Sequence, residues 1–222
     1  MKLGFYPKLA WTGMRSNRKL YLPYLITCIS MVAMLYIVGY LSGAEAVRHL
    51  PGGQFIQESL GLGVWIIALF AGLFLVYSSS FLMRRRKKEF GLYNILGMGK
   101  GHLGMVVFWE TVMTAVISIS GGLVAGIMLS KLSELCIVNI VGGEVDYSLT
   151  ISGRSVITAC IVFAVIFLVI MVKSLWQIRR TNAINLLKSE NVGEKLPRMY
   201  WFWGILGAVI LGAAYYLALV IE

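Results

Sequence analysis

Acidic side chains are scarce: only 10 of the 222 residues are Asp or Glu, and charged residues of either sign make up 14% of the chain. An ordinary soluble domain carries about a quarter charged residues, so a surface that faces water on all sides is excluded. Histidine occurs twice, as His49 and His102, in loops expected on opposite sides of a membrane, which excludes a shared metal site. Cys28, Cys136 and Cys160 form no CxxC pair and no even set, and they lie in or beside apolar runs, so they read as small apolar side chains without a redox role. No GxxxxGKS/T stretch is present, so the chain lacks a P-loop for holding ATP phosphates. Nor do a nucleophile and a base share one membrane layer, which leaves no catalytic constellation. Gly99 to Gly104 satisfies GxGxxG, but a dinucleotide site needs a preceding strand and a βαβ unit. Apolar spans flank these glycines instead. They read as the break between a surface helix and the next span, with no cofactor attached.

Apolar surface is what the chain has in excess, with 59% hydrophobic residues. A bilayer core of about 30 Å needs roughly 20 apolar residues of helix, and five runs meet that length: Tyr21 to Leu41, Gly61 to Met83, Met105 to Leu129, Ser155 to Leu175 and Tyr200 to Ile221. The expected fold is an all-α membrane protein of five transmembrane helices with short interfacial and coupling helices. The net charge of +10 is distributed as a membrane protein's, not as a nucleic-acid binder's. Of the 20 cations, 17 fall before the first span, between the second and third, or after the fourth, and only Arg48, Lys131 and Arg154 fall on the other side. That asymmetry puts the N-terminus in the cytoplasm, in the plasma membrane of the cell. The first span is longer than a signal peptide's apolar region and is expected to stay in the mature protein.

The chain then divides into a cytoplasmic interfacial helix (1–20), a first span with its outer loop (21–60), a core of three spans (61–177), a cytoplasmic segment (178–199) and a fifth span (200–222). Pro7 stands where the interfacial helix can start, and its apolar Leu9, Ala10, Trp11 and Met14 alternate with cations. Tyr21, Tyr24, Trp176, Tyr200, Trp201 and Trp203 at inner ends, with Tyr36, Tyr40, Tyr215 and Tyr216 toward outer ends, read as interface anchors. In the second outer loop, "CIVNIVGGEVDYSLTIS" carries two β-prone runs around Gly142-Gly143, the pattern of a small hairpin.

The third span has a polar face. Glu110, Thr114, Ser118, Gly121, Gly122 and Ala125 recur at steps near three and four, so one side of that helix should face protein. Gly122-x-x-x-Gly126 lies on the same helix, and Gly204, Ala208 and Gly212 repeat small-residue spacing in the fifth; both suit close helix contact. Glu110 is the acidic residue inside a span. It either reaches back to water or a cytoplasmic cation, or makes a buried polar contact between helices.

Two inner segments mix basic and apolar residues. After Arg84 to Lys88, which lock the topology of their loop, Phe90, Leu92, Tyr93, Ile95 and Leu96 alternate with Glu89 and Asn94 until Gly97 can end the turn. In "RRTNAINLLKSE", Thr181 or Asn182 can cap a helix presenting Ile184, Leu187 and Leu186. Such apolar faces suit docking in a partner's groove.

At these residues the sequence resembles the FtsX-like permease family, and most closely the bacitracin-export type of ABC transporter permease. The resemblance rests on "NRKLYLPYLITCISMV", "FLMRRRKKEFGLYNILGMGKGHLGMVVFWETVMTAVISISGGLVAGIMLSKL" and "IRRTNAINLLKSENVGEKLP", and 61–177 would be the permease core. It implies that cytoplasmic helices couple the permease to a separate ATP-binding subunit, a dimer, with Glu89, Phe90, Gly91, Leu92, Leu96 and Gly97 in a first coupling segment. Asn182, Ile184, Leu186 and Leu187 would belong to a second, where Ala183 departs from a proline common in the family. Glu110, with Thr114 and Ser118 along its face, matches the family's glutamate at the start of the third span. Full permeases of this type look like ten-span proteins with a large extracellular domain in their second half, so this chain matches an N-terminal half, with a companion permease half as a further partner. The implied role is transport or release of an amphiphilic substrate such as a peptide antibiotic, that is, antibiotic resistance. The residues leave open a non-transporting membrane adaptor that regulates a sensor kinase or a permease, or an inactive fragment.

Overall fold

The computed structural model describes residues 4–48, 52–95, 97–141, 151–180 and 201–220. Among these all the regular secondary structure is helical: α1 (Phe5–Ser16), α2 (Arg18–Leu41), α3 (Glu45–Arg48), α4 (Gly53–Arg85), α5 (Lys87–Ile95), α6 (Lys100–Val141), α7 (Gly153–Arg180) and α8 (Trp201–Val220). Lipid offers the backbone no hydrogen-bond partner, and helices satisfy their own. Four of them, α2, α4, α6 and α7, are long and apolar enough to cross a membrane. The fifth apolar run forms α8, of which Gly204–Ala213 stands as a shorter apolar helix. Residues 1–187 form one compact unit and 188–222 a second.

In the first unit α2 and α6 run parallel, held in register by Tyr21 on Glu110 at one end and Tyr40 on Glu134 at the other. Both helices present a row at four-residue steps. On α6 every fourth residue from Val106 to Val138 is buried, through Glu110, Thr114, Ser118, Gly122, Gly126, Ser130 and Glu134. On α2 the buried row is Tyr24, Cys28, Val32, Tyr36 and Tyr40. Side chains four apart on a helix stack into one ridge, so the two rows mesh along their length. The glycines let them approach: a Cβ on Gly122 would overlap Val32 and come within 2.9 Å of the Ile29 carbonyl, and one on Gly126 would meet the Tyr36 ring at 3.0 Å. The small-residue motif of the third span is therefore used inside the chain, against α2.

α4 and α7 return antiparallel to these two and touch each other where Ile166 lies over Gly72. The shared core holds Cys28, Val32, Leu35, Ala71, Leu75, Ala159, Phe163 and Phe167. Away from it, Leu62, Trp65, Leu69, Phe70, Leu73 and Tyr77 leave one side of α4 apolar and exposed, as a lipid-facing surface is.

Three sequence expectations change here. The tyrosines of the first span are interior residues, not interface anchors: Tyr21, Tyr24, Tyr36 and Tyr40 are all buried, because α2 turns that face to α6. The segment between the first two spans, expected as an outer loop, is largely helical, and Val47 of α3 with Ile56 and Leu60 of α4 closes that end of the bundle over Tyr36, Tyr40, Leu41 and Ala44. Gln57 Nε2 donates to the Ala44 carbonyl at 2.8 Å across that closure. The run CIVNIV, read as half of a hairpin, instead forms the last turns of α6. Burial of Ser130, Glu134 and Val138 keeps that helix going, and its 42 residues amount to about 63 Å, roughly twice the bilayer core. Residues 142–150 lie outside the described ones.

Candidate functional site at the basic end of the bundle

The end of the bundle that carries Arg15, Arg18, Lys19, Arg84, Arg85 and Arg86 is built around a single buried arginine. Arg86 follows the last turn of α4 and is 1% exposed. Its Nη1 donates to Glu110 Oε2 on α6 at 2.6 Å and to the Tyr21 hydroxyl on α2. Its Nε donates to Glu89 Oε2 on α5 at 3.0 Å. The flat guanidinium also lies 5.0 Å from the Phe90 ring and 5.4 Å from the Tyr21 ring, distances at which the ring faces attract a cation. One planar, always-charged fork with five donors can serve three helices at once, which a lysine could not.

The remaining groups complete the network. The Tyr21 hydroxyl donates to Glu110 Oε2 at 3.1 Å. Asn17, the one residue between α1 and α2, donates through Nδ2 to Glu89 Oε1 at 2.7 Å and to the Gly13 carbonyl at 3.2 Å. α1 covers the pair from outside, and it needs a glycine to do so: a Cβ on Gly13 would lie 3.2 Å from both Arg86 Nη2 and Glu110 Oε1. A second tie joins α1 to the first turn of α6, where the Tyr6 hydroxyl and His102 Nδ1 are 2.6 Å apart and the rings stack. Burial on its own disfavours the charge of Arg86, but Tyr21, Glu110 and Glu89 around it reverse that, so its proton is held more tightly than a free arginine's. Beside Glu110, Tyr24, Ser79, Thr111, Thr114 and Ser174 border a cavity of 30 Å³, room for about one water.

Glu110 therefore meets a cation, Arg86, in a contact that is buried and interhelical. Thr114 and Ser118 follow it on the buried row of α6; the Thr114 hydroxyl donates to the Glu110 carbonyl at 2.8 Å. The sequence gives Arg86 only a place in the topological lock Arg84 to Lys88. Two signals pointed to it: a carboxylate inside a span needs a cation, and Arg86 stands three residues before Glu89, one helical turn away.

α5 sits on this hub. Phe90, expected on an outward docking face, is 3% exposed and packs with Met83, Leu103, Val107 and Ile178 from α4, α6 and α7. Gly91 is buried with it, Glu89 is half-buried, and Leu92 faces outward at 55% exposure. Phe90 turns inward because the apolar floor lies on the same side of α5 as the guanidinium it covers. Gly97 ends the segment as expected. Its φ of 88° is open to glycine, and the Met98 amide donates to the Tyr93 carbonyl at 3.0 Å, closing a Schellman turn. Leu96 and the second coupling residues Asn182, Ile184, Leu186 and Leu187 lie outside the described residues.

Among the described residues no three His, Cys, Asp or Glu side chains gather to hold a metal ion. The site offers buried charge, ring faces and packing, which hold helices against each other.

Comparison with known proteins fits this architecture. Residues 61–183, more than half of the chain, match the FtsX-like permease C-terminal family. An uncharacterized ABC transporter permease, YvcS of Bacillus subtilis, is 26% identical over 212 residues, which cover 95% of this chain and 33% of the relative. The bacitracin export permease protein BceB of the same species is 26% identical over 219 residues, again 95% and 33%. BceB of Halalkalibacterium halodurans is 22% identical over 210 residues, 93% and 32%. The chain thus spans about a third of the length of these relatives. It belongs to the FtsX-like permease family and is an integral membrane protein.

Proposed function

We propose that this FtsX-like permease segment is the transmembrane part of an ABC transporter that couples a separate cytoplasmic ATPase dimer to movement or release of an amphiphilic substrate. One observation carries the reading. α5 is a short helix at the basic end whose inward side is fixed to α2, α4 and α6 through Arg86, Glu89 and Phe90, while Leu92 faces out. A partner that pushes on Leu92 therefore moves the buried arginine and, with it, the start of the α2/α6 pair. ATP hydrolysis belongs to the partner.

The basic end is the cytoplasmic one, as the 17-to-3 distribution of cations supports, with the N-terminus inside and α8 as a fifth span. The register of α2 and α6, maintained from Tyr21 on Glu110 to Tyr40 on Glu134, gives motion at the inner end a rigid path outward. A peptide antibiotic is the substrate class suggested by the relatives named for bacitracin export, and recognition of it is assigned to a companion half.

The test is co-purification with the ATP-binding chain encoded beside it. Leu92→Glu should abolish association while leaving thermal unfolding in detergent unchanged. Phe90→Ala should retain association but lower unfolding resistance, because truncating a buried Phe costs about 3–5 kcal/mol. Full association and substrate-stimulated ATP hydrolysis in Leu92→Glu would refute coupling through α5.

A further inference from the structure

A groove that shares Tyr21 with the arginine hub opens between α1, α2 and α6 at the same end. It holds 270 Å³ and is lined by Trp11, Met14, Leu22, Leu25 and Ile117, with Tyr21 at its floor and Arg15 and Arg18 beside it. The walls are apolar and the only charged lining residues are the two arginines. Neither makes an ion pair among the described residues, and no carboxylate lines the groove.

The helix start beside it also calls for an anion. α2 begins with Arg18 and Lys19, has no acidic residue in its first turn, and receives no side-chain hydrogen bond at its N-cap, Asn17. Two cations and no carboxylate thus sit at the positive end of one helix dipole, an arrangement that an anion relieves. An apolar slot with a doubly cationic mouth, at the depth where a span meets its interface, complements a molecule with a hydrocarbon chain and an acidic head.

We propose that this groove is a specific site for an anionic phospholipid, with an acyl chain along Trp11, Leu22, Leu25 and Ile117 and the phosphate between Arg15 and Arg18. A lipid seated there packs against Trp11, Met14 and Arg15 of α1, the helix that carries Gly13 over the Arg86–Glu110 pair. Occupancy thereby steadies the lid of the hub, a linkage of ligand binding to one arrangement of helices.

The experiment is native mass spectrometry of the purified chain, given equimolar phosphatidylglycerol and phosphatidylcholine of identical chains. A first bound lipid should be phosphatidylglycerol by about thirtyfold, a factor of about five for each arginine. Arg15→Gln with Arg18→Gln should reduce the preference to near unity, and Arg15→Lys with Arg18→Lys should restore most of it. Lys100→Gln, in a different basic cluster, should leave it unchanged. Ile117→Trp fills the slot and should remove the first lipid without altering charge; soluble glycerol phosphate should not compete. Equal binding of the two lipids, or unchanged preference in the double glutamine variant, overturns the proposal. So does competition by glycerol phosphate, which would mean a headgroup site without a chain slot.

Discussion

Replacing Arg86 with methionine tests the hub most directly. The change keeps the volume of the arginine stem but removes the donors to Glu110, Glu89 and Tyr21 and the cation over two rings. Glu110, 4% exposed, is then a buried carboxylate with the Tyr21 hydroxyl at 3.1 Å as its remaining side-chain donor among the described residues. Removing one partner of a buried ion pair costs about 3–5 kcal/mol, because the other charge stays desolvated. Arg86→Met with Glu110→Leu removes both charges, and the residual loss falls on Glu89, which is partly exposed and keeps Asn17. That loss should be about 1 kcal/mol or less. The double variant is therefore expected to be more stable than Arg86→Met by at least about 2 kcal/mol, a coupling within the range seen for residues in one buried network. The assay is SDS titration of the chain in dodecyl maltoside micelles, followed by tryptophan emission, with Trp109 next to Glu110 on α6. If Arg86→Met costs less than about 1 kcal/mol, or the two substitutions add within about 0.5 kcal/mol, the pair does not hold α4 to α6 and the reasoning fails.

Gly122→Leu should destabilise by at least about 3 kcal/mol, since the added side chain meets Val32 and the Ile29 carbonyl on the facing helix and neither backbone can retreat. Gly61→Ala on α4 is its control: no atom lies within 4 Å of the added carbon, and the same titration should show a gain of about 0.5–1 kcal/mol from helix propensity. Tyr40→Phe removes the 2.8 Å hydrogen bond to Glu134, which keeps Lys131 at 3.1 Å; a loss of about 1–2 kcal/mol is expected, readable as a shift in thermal unfolding of the detergent-solubilised chain.

The sequence by itself determined that this is a helical membrane protein, where four of its spans lie, and which side of α6 faces protein. Those conclusions rest on local facts. A backbone in hydrocarbon must bond to itself within each segment, and a polar or glycine row at four-residue steps marks an interior face because lipid offers it no partner. The turn at Gly97 was legible for the same reason, since left-handed backbone selects glycine locally. The tertiary structure alone decided that the tyrosines of α2 point inward, that Phe90 is a buried anchor and Leu92 the outward residue, and that Arg86 among five consecutive cations is the one that meets Glu110. In a soluble helix, a polar side would have marked the outside. Here lipid-facing and core-facing sides are both apolar, so composition lacks the contrast that sets a helix's rotation about its axis. Only the fit of one helix on another supplies it, through the Gly122 and Gly126 clefts that admit α2 and the apolar floor that receives α5.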